Sequence, residues 1–203
     1  GHSSLNSTTI GDLNTAVGFQ SMYSNVEGDR SVAIGYQALY TQDPAGTSNV
    51  DMYNIGIGYA AGYGLTTGTQ NTAVGALSLD ATVTGDDNVA VGYGAMTTNT
   101  SGYENTAVGK GALYTNAAGI RNTAVGKGAL YSNADASYNT AMGYNALYAN
   151  TTGTRNTAFG GFALDACVDG TYNTAVGHWA GSGITDATHC TFVGDYAGSA
   201  TTT

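Results

Sequence analysis

One pentapeptide, Asn-Thr-Ala-Val-Gly in its commonest form, recurs along the chain and constrains the fold more than any other feature. Successive copies are 17 residues apart, except that the second and third are 23 residues apart. A period this short and regular is typical of one structural unit stacked upon itself. It argues against an enzyme, because catalysis needs unlike groups to converge whereas a repeat places like groups in rows. The eleven copies end at Gly18, Gly35, Gly58, Gly75, Gly92, Gly109, Gly126, Gly143, Gly160, Gly177 and Gly194.

Equivalent positions of the repeat form columns, which take the name of their commonest residue. Residues 105–109 supply one member each of the Asn, Thr, Ala, Val and Gly columns. Three residues after the glycine comes a small column of Ala or Ser, as at Ala112, and then a Leu column of Leu, Met or Gly, as at Leu113. A tyrosine often follows, as at Tyr114, and the rest of the unit is polar and turn-like.

The repeat length selects a β-solenoid over a helical array. Helical-hairpin repeats need about 34 residues or more, whereas 17 residues suffice for one coil with two short strands and two turns. Thr-Ala-Val alternates with the period of a strand, the glycine ends it, and Ala-Leu-Tyr is predicted to form the second strand. We therefore predict an all-β chain, in which residues 14–203 form a parallel β-solenoid of eleven 17-residue coils. Residues 1–13 are predicted to be an N-terminal cap or linker.

The sequence does not decide which side of the Thr-Ala-Val strand faces the interior of the coil. If the Val column points into the coil, the Ala and Gly columns form a smooth outer wall. If the Ala column points inward with the small column, the coil is thin, and the Val and Leu columns become exposed apolar stripes. Three chains packed around one axis would bury such stripes. The Asn column is predicted to be structural, with identical amides bonding up and down a ladder.

Charge and composition exclude several partners. The net charge is -9 with only five basic residues, which argues against nucleic acid and against an anionic membrane surface. No apolar run approaches the roughly 18 residues of a membrane span, so we predict no membrane insertion of this segment. No catalytic set, metal-ligand spacing or cofactor motif is found, so no enzyme activity, metal or cofactor is predicted. Cys167 and Cys190 have no metal-type spacing, and a disulfide between them is allowed but not implied.

The longer interval contains a candidate recognition loop. Six extra residues fall within 41–53, and an insertion in a solenoid becomes a loop, often on the binding face. Asp43, Asp51 and Tyr53 are the candidate binding residues. The alternative is a tolerated loop without a binding role. The recurrent tyrosines are predicted to stack or to contact another subunit, although exposed rings would also suit sugars.

A threonine-lined face is the basis of a second functional hypothesis. Regularly spaced threonines on a β-solenoid resemble the faces of ice-binding proteins. The Thr column is interrupted, however, by Val32, Ile55 and Val89, and the residue before each unit varies in type. The candidate ice-binding residues are Thr106, Thr123, Thr140 and Thr157.

The repeat also resembles known surface proteins. Residues 31–35 match, at every position, the Ser-Val-Ala-Ile-Gly repeat of YadA-like trimeric autotransporter adhesin heads. Longer units, such as 139–148, are similar to repeats of phage tail fibres. The resemblance covers residues 14 to about 198, although the period here is longer than in typical adhesin heads. It implies a left-handed β-roll, a homotrimer, and a place outside the cell, on a cell or virion surface. We therefore expect a non-enzymatic rigid rod that presents loops to a host-cell surface or glycan, with ice binding as the alternative.

Overall fold

The computed structural model describes residues 1–44, 50–81 and 83–199. Over these residues the chain has strands and turns but no helix, and it winds as a parallel β-solenoid of about 10 turns. The prediction of an all-β chain that forms a parallel β-solenoid is therefore confirmed. The strands are Thr15–Val17 (β1), Gly28–Asp29 (β2), Val32–Ile34 (β3), Val50–Asp51 (β4), Ile55–Ile57 (β5), Thr72–Val74 (β6), Val89–Val91 (β7), Thr106–Val108 (β8), Thr123–Val125 (β9), Thr140–Met142 (β10), Thr157–Phe159 (β11), Thr174–Val176 (β12) and Thr191–Val193 (β13).

One parallel sheet of 11 strands runs through the described part of the chain. Its strands pair in register, so that Thr106 lies opposite Thr123 and Ala107 opposite Ala124. The insertion leaves this register intact, because Val32 still pairs with Ile55. Strands β2 and β4 form a separate two-stranded sheet. Equivalent residues are therefore stacked in straight columns at the strand spacing of about 4.8 Å.

The glycine that ends each pentapeptide is required by backbone conformation and by a close approach between coils. Gly109 has a φ of +136°, which residues with side chains rarely adopt. A Cβ at this position would lie 2.6 Å from the carbonyl oxygen of Gly126 in the next coil. The prediction that this glycine ends the strand is confirmed.

The Ala-Leu-Tyr segment does not form the predicted second strand and is instead a run of turns. The reason is a left-handed backbone in the Leu column, where φ is 50° at Leu113. A left-handed residue breaks the alternation of a pleated strand, so both Ala112 and Leu113 are buried in the coil. The coils are still joined there by the main chain, as where Leu113 N–H donates to the carbonyl oxygen of Ala129 at 3.0 Å.

The interior is built from the Ala, small and Leu columns. Ala107, Ala112 and Leu113 are fully buried and belong to one core cluster. Val108 is instead 37% exposed. The structure thus adopts the arrangement in which the Ala column points inward and the Val column outward. The accompanying expectation of an exposed Leu column is wrong, because the left-handed turn directs that column into the core.

Departures from the Ala column are matched by nearby changes in volume. A Cβ at Gly56 would lie 2.8 Å from Cγ of Leu39, so this glycine makes room for the leucine. Phe192, in contrast, is larger than the usual alanine of this column. Its ring fills space left by a glycine in the Leu column, since a Cβ at Gly181 would lie 2.9 Å from the ring. The core therefore stays filled where the repeat varies.

The Asn column is a buried ladder, but most of its amide bonds go to the main chain. Asn122 Oδ1 accepts a hydrogen bond from Asn139 N–H at 3.0 Å, and its Nδ2 donates to the carbonyl oxygen of Ala136 at 2.8 Å. The predicted amide-to-amide ladder is therefore wrong for most of this column. It exists in the polar half of the repeat, where Asn133 Nδ2 donates to Asn116 Oδ1 at 2.9 Å. Both ladders join each coil to the next by hydrogen bonds.

Residues 1–13 follow the path of the repeat. Leu5 packs against the core, and its N–H donates to the carbonyl oxygen of Ser21 at 3.1 Å. The His2 ring stacks on Phe19 with centroids 5.7 Å apart. This segment therefore adds an incomplete coil to the stack.

Candidate binding surfaces

The outward side of the 11-stranded sheet, formed by the Thr and Val columns, is called the strand face. Val108 and Phe159 on this face are 37% and 54% exposed. All members of the Val column are apolar, and neither column contains a charged residue. The strand face is therefore a continuous apolar stripe beside a column of hydroxyl groups, which Val32, Ile55 and Val89 interrupt. The candidate ice-binding residues lie on it in four neighbouring strands: Thr106, Thr123, Thr140 and Thr157.

Only two of the three candidate loop residues come together. Asp51 forms an ion pair with Arg30, and Tyr53 Oη donates to the second carboxylate oxygen of Asp51 at 3.1 Å. The Arg30 guanidinium also lies 5.9 Å from the centre of the Tyr53 ring. Asp43 is not part of this cluster, and its N–H donates to the carbonyl oxygen of Thr66 at 3.2 Å. Residues 45–49 of the insertion lie outside the described residues.

The column that precedes the Asn column was missed as a feature, because its residues differ in type. The Arg155 guanidinium lies 5.2 Å from the ring centre of Tyr138 and 5.3 Å from that of Tyr172. Arg121 pairs with Glu104, with Nε and Oε2 2.5 Å apart, and this hydrogen bond lowers the pKa of the Glu104 carboxyl. In the four coils from Arg121 to Tyr172, cations and rings thus alternate. An Arg–Tyr alternation at the repeat period is the sequence signal that would have revealed it.

The tyrosines that follow the Leu column stack ring upon ring. Tyr131 lies 4.9 Å from Tyr114 and 5.0 Å from Tyr148, measured between ring centroids. This supports the predicted stacking role. Because neighbouring tyrosines cover each other's faces, these rings present their edges and hydroxyl groups to the surroundings.

A groove of about 400 Å³ lies beside this tyrosine stack. Gly94, Gly111 and Gly128 form its floor in three successive coils, and all three are buried. We call it the glycine groove. It was not predicted, because it arises where side chains are missing from one column of neighbouring coils.

The walls of the glycine groove differ chemically. The tyrosine stack forms one wall, and Lys110 and Lys127 project from the other. The ammonium group of Lys110 lies 5.5 Å from the ring centre of Tyr93, and that of Lys127 lies 5.4 Å from that of Tyr144. No carboxylate lines the groove. The groove is therefore a cationic strip on a chain whose net charge is -9.

Within the described ranges, no group of three or more His, Cys, Asp or Glu side chains is placed to hold a metal ion. Both cysteines are free thiols. Burial raises the pKa of Cys167 to about 11, so this thiol is uncharged and a poor nucleophile at neutral pH.

Asp165 occupies the position equivalent to tyrosine in the coil after Tyr148. Its Oδ1 is buried and has no hydrogen-bond partner among the described residues. Desolvation raises the pKa of this carboxyl, although hydrogen bonds from the main chain oppose the shift. The ionised side chain therefore destabilises the folded state.

Replacing Asp165 with asparagine is expected to raise the melting temperature at neutral pH. Below the unfolded-state pKa of about 3.9 the carboxyl is protonated in both states, and it carries no ionisation penalty there. As the pH rises from there through the raised folded-state pKa, the unfolded state loses its proton first and stability falls. The gain from Asp165→Asn should thus be largest above this window and vanish in acid. Thermal denaturation at several pH values tests this, with the exposed Asp135→Asn as the control. A gain that persists unchanged in acid would contradict it.

Comparisons with protein-family models, curated proteins and solved structures found no match for this chain. The resemblance to YadA-like heads therefore rests on the repeat motif alone. In the part of the chain that the structure describes, no helix is long and apolar enough to cross a lipid bilayer.

Proposed function

We propose that this chain is a non-enzymatic structural and adhesion module, which assembles as a homotrimeric rod on a cell or virion surface. Its coils would be left-handed, and the rod would present loops and grooves for attachment to a host-cell surface or glycan. The observation that carries the proposal is the strand face. Contiguous apolar surface of this extent on a protein exposed to water is typical of an interface.

The shape of the stripe favours three chains. Each coil contributes one apolar side chain, such as Val108 or Val125, and eight of the eleven coils place a threonine beside it. Around a threefold axis, one residue from each chain meets its two equivalents at the same level, so a single column per chain is enough to form a core. The variation from valine to Met142 and Phe159 supports apolar packing, because the residue remains apolar while its size changes.

Attachment would be multivalent. Three parallel copies of each surface feature repeat a weak contact, so the avidity of the rod exceeds the affinity of a single site. Asp51 and Tyr53 are exposed near the insertion and supply one such feature. Their polar groups already bind Arg30 and each other, so a receptor would meet a preformed cluster rather than free side chains.

The oligomeric state can be tested by measuring absolute mass with light scattering on a sizing column. We expect a mass near three times 20.5 kDa for the native chain. The double variant Val108→Lys, Val125→Lys should dissociate to single chains, because each trimer would otherwise bury six ammonium groups without partners. The matched control is Ser101→Lys, Ala118→Lys, at exposed turn positions of the repeat. A native monomer, or a lysine variant of unchanged mass, would overturn the proposal.

Ice binding is the second candidate, and one observation favours it. Thr106, Thr123, Thr140 and Thr157 lie on adjacent strands in register, each beside an apolar residue of the Val column. This function uses the same face, so it requires that the face be uncovered. A monomer whose thermal hysteresis disappears when these threonines are replaced by lysine would support ice binding. A trimer without thermal hysteresis would exclude it.

A further inference from the structure

We propose that the glycine groove binds an acidic oligosaccharide that carries one carboxylate on each sugar. This deepens the attachment role given above and rests on that proposed function for its biological setting. The groove itself is a property of the single chain. Its binding can therefore be measured whether or not the chain forms a trimer.

The backbone at the floor of the groove does not require glycine. Gly111 has a φ of +62°, but the same position of other coils carries side chains at similar angles, as at Gln20 and Gln37, both with φ 53°. Later coils place Phe162 and Trp179 there, and their rings stack 4.2 Å apart. The solenoid thus tolerates side chains in this column. Three successive glycines create an open trough about three coils long.

The positive charge of the glycine groove favours an anionic ligand. Lys110 and Lys127 are the only lysines in the chain, and both are exposed on the same wall of the trough. Neither forms an ion pair within the described part of the chain. The nearest acids of the tyrosine column, Asp80 and Asp165, lie outside the lining of the groove. Two unpaired ammonium groups in an acidic protein are a specific local feature and not part of a general basic surface.

Spacing selects a saccharide over a peptide. The backbone positions of the two lysines are one coil apart, or about 4.8 Å along the solenoid, and the hydroxyl groups of the tyrosine stack follow the same period. One sugar of an extended chain has a comparable length, so successive sugars would follow the coils and bring their carboxylates within reach of the two long lysine side chains. An extended peptide advances about 3.3 Å per residue and falls out of step with the coils. The tyrosines would donate hydrogen bonds to sugar hydroxyls through Oη, because their ring faces are already stacked.

The experiment is a calorimetric titration of the native chain with tetragalacturonate and with tetramannuronate, the neutral comparison being maltotetraose. We expect at least one of the acidic tetrasaccharides to bind, with an affinity that falls as salt is added, and maltotetraose not to bind. Lys110→Gln, Lys127→Gln should weaken binding at least tenfold. Gly111→Gln should also weaken binding at least tenfold. It leaves the charge unchanged and places a side chain in the trough.

Matched variants separate this result from unfolding or general electrostatics. Arg155→Gln removes a positive charge outside the groove and should leave binding unchanged. Circular dichroism should show that the Gly111→Gln chain is folded, as the natural glutamines of this column indicate. Absence of binding to both acidic probes, equal binding of maltotetraose, or equal binding of a tetraglutamate peptide would each overturn the inference. Binding by a chain shown to be monomeric would support the proposed role of the glycine groove and exclude the proposed trimeric rod.

Discussion

Replacing Gly109 with alanine is expected to destabilise the solenoid by about 4 kcal/mol or more, and to leave much of the chain unfolded at room temperature. Two costs combine at this position. The φ of +136° is strained for any residue with a Cβ, and that Cβ would lie 2.6 Å from a main-chain oxygen of the next coil. Relief would require the two coils to move apart. In a stacked repeat, that movement breaks the nearest-neighbour interface on which stability depends.

The same coil offers a control. Gly111 also has a positive φ, of +62°, but a Cβ there would lie 3.4 Å from the nearest atom, Cε2 of Tyr131. Gly111→Ala should therefore cost only about 1 kcal/mol. Urea unfolding monitored by circular dichroism compares the two. Equal denaturation midpoints for the two variants would show that the close contact between coils carries no special cost.

Replacing Asn122 with aspartate is expected to cost about 2–4 kcal/mol at neutral pH. The change is nearly isosteric, so it tests hydrogen bonding rather than packing. An aspartate still accepts from Asn139 N–H, but its carboxylate cannot donate to the carbonyl oxygen of Ala136, which Asn122 Nδ2 reaches at 2.8 Å. It would also bury a negative charge beside that oxygen, because the Asn122 site is 1% exposed.

The pH dependence of this variant follows from the same geometry. Desolvation should raise the pKa of the new carboxyl in the folded chain above the unfolded value of about 3.9. Stability should then fall as the pH rises above the unfolded value, and recover in acid, where the protonated group can donate. The exposed Asn6→Asp is the control and should show little change. Thermal denaturation between acidic and neutral pH measures both variants. An Asn122→Asp chain as stable as the native one at neutral pH would mean that the ladder contributes little.

Repetition explains why so much of the architecture was predictable. In-register pairing of parallel strands stacks equivalent residues, so a column read from the sequence becomes a column in space. The strands at Thr-Ala-Val, the role of Gly109 and the structural role of the Asn column follow from that rule. The Arg155 and Tyr138 alternation follows from it too, and it escaped notice only because the column contains different residue types.

The facing of the Leu column was not predictable in this way. Leucine rarely adopts a left-handed backbone, yet Leu113 has a φ of 50° and points into the core beside Ala112. No local propensity indicates this conformation. It is stabilised by main-chain hydrogen bonds between coils and by burial of the side chain, which exist only when the coils are stacked.

The 17-residue period was sufficient to establish a parallel β-solenoid with glycine at the strand ends, because each of these properties depends on one coil repeating another. The three-dimensional arrangement was needed to show that the Val column faces outward and that three glycines open a trough between lysines and tyrosines. Both depend on where neighbouring coils leave space. That space is set by packing between residues far apart in the chain. The order of residues within one repeat does not specify this packing.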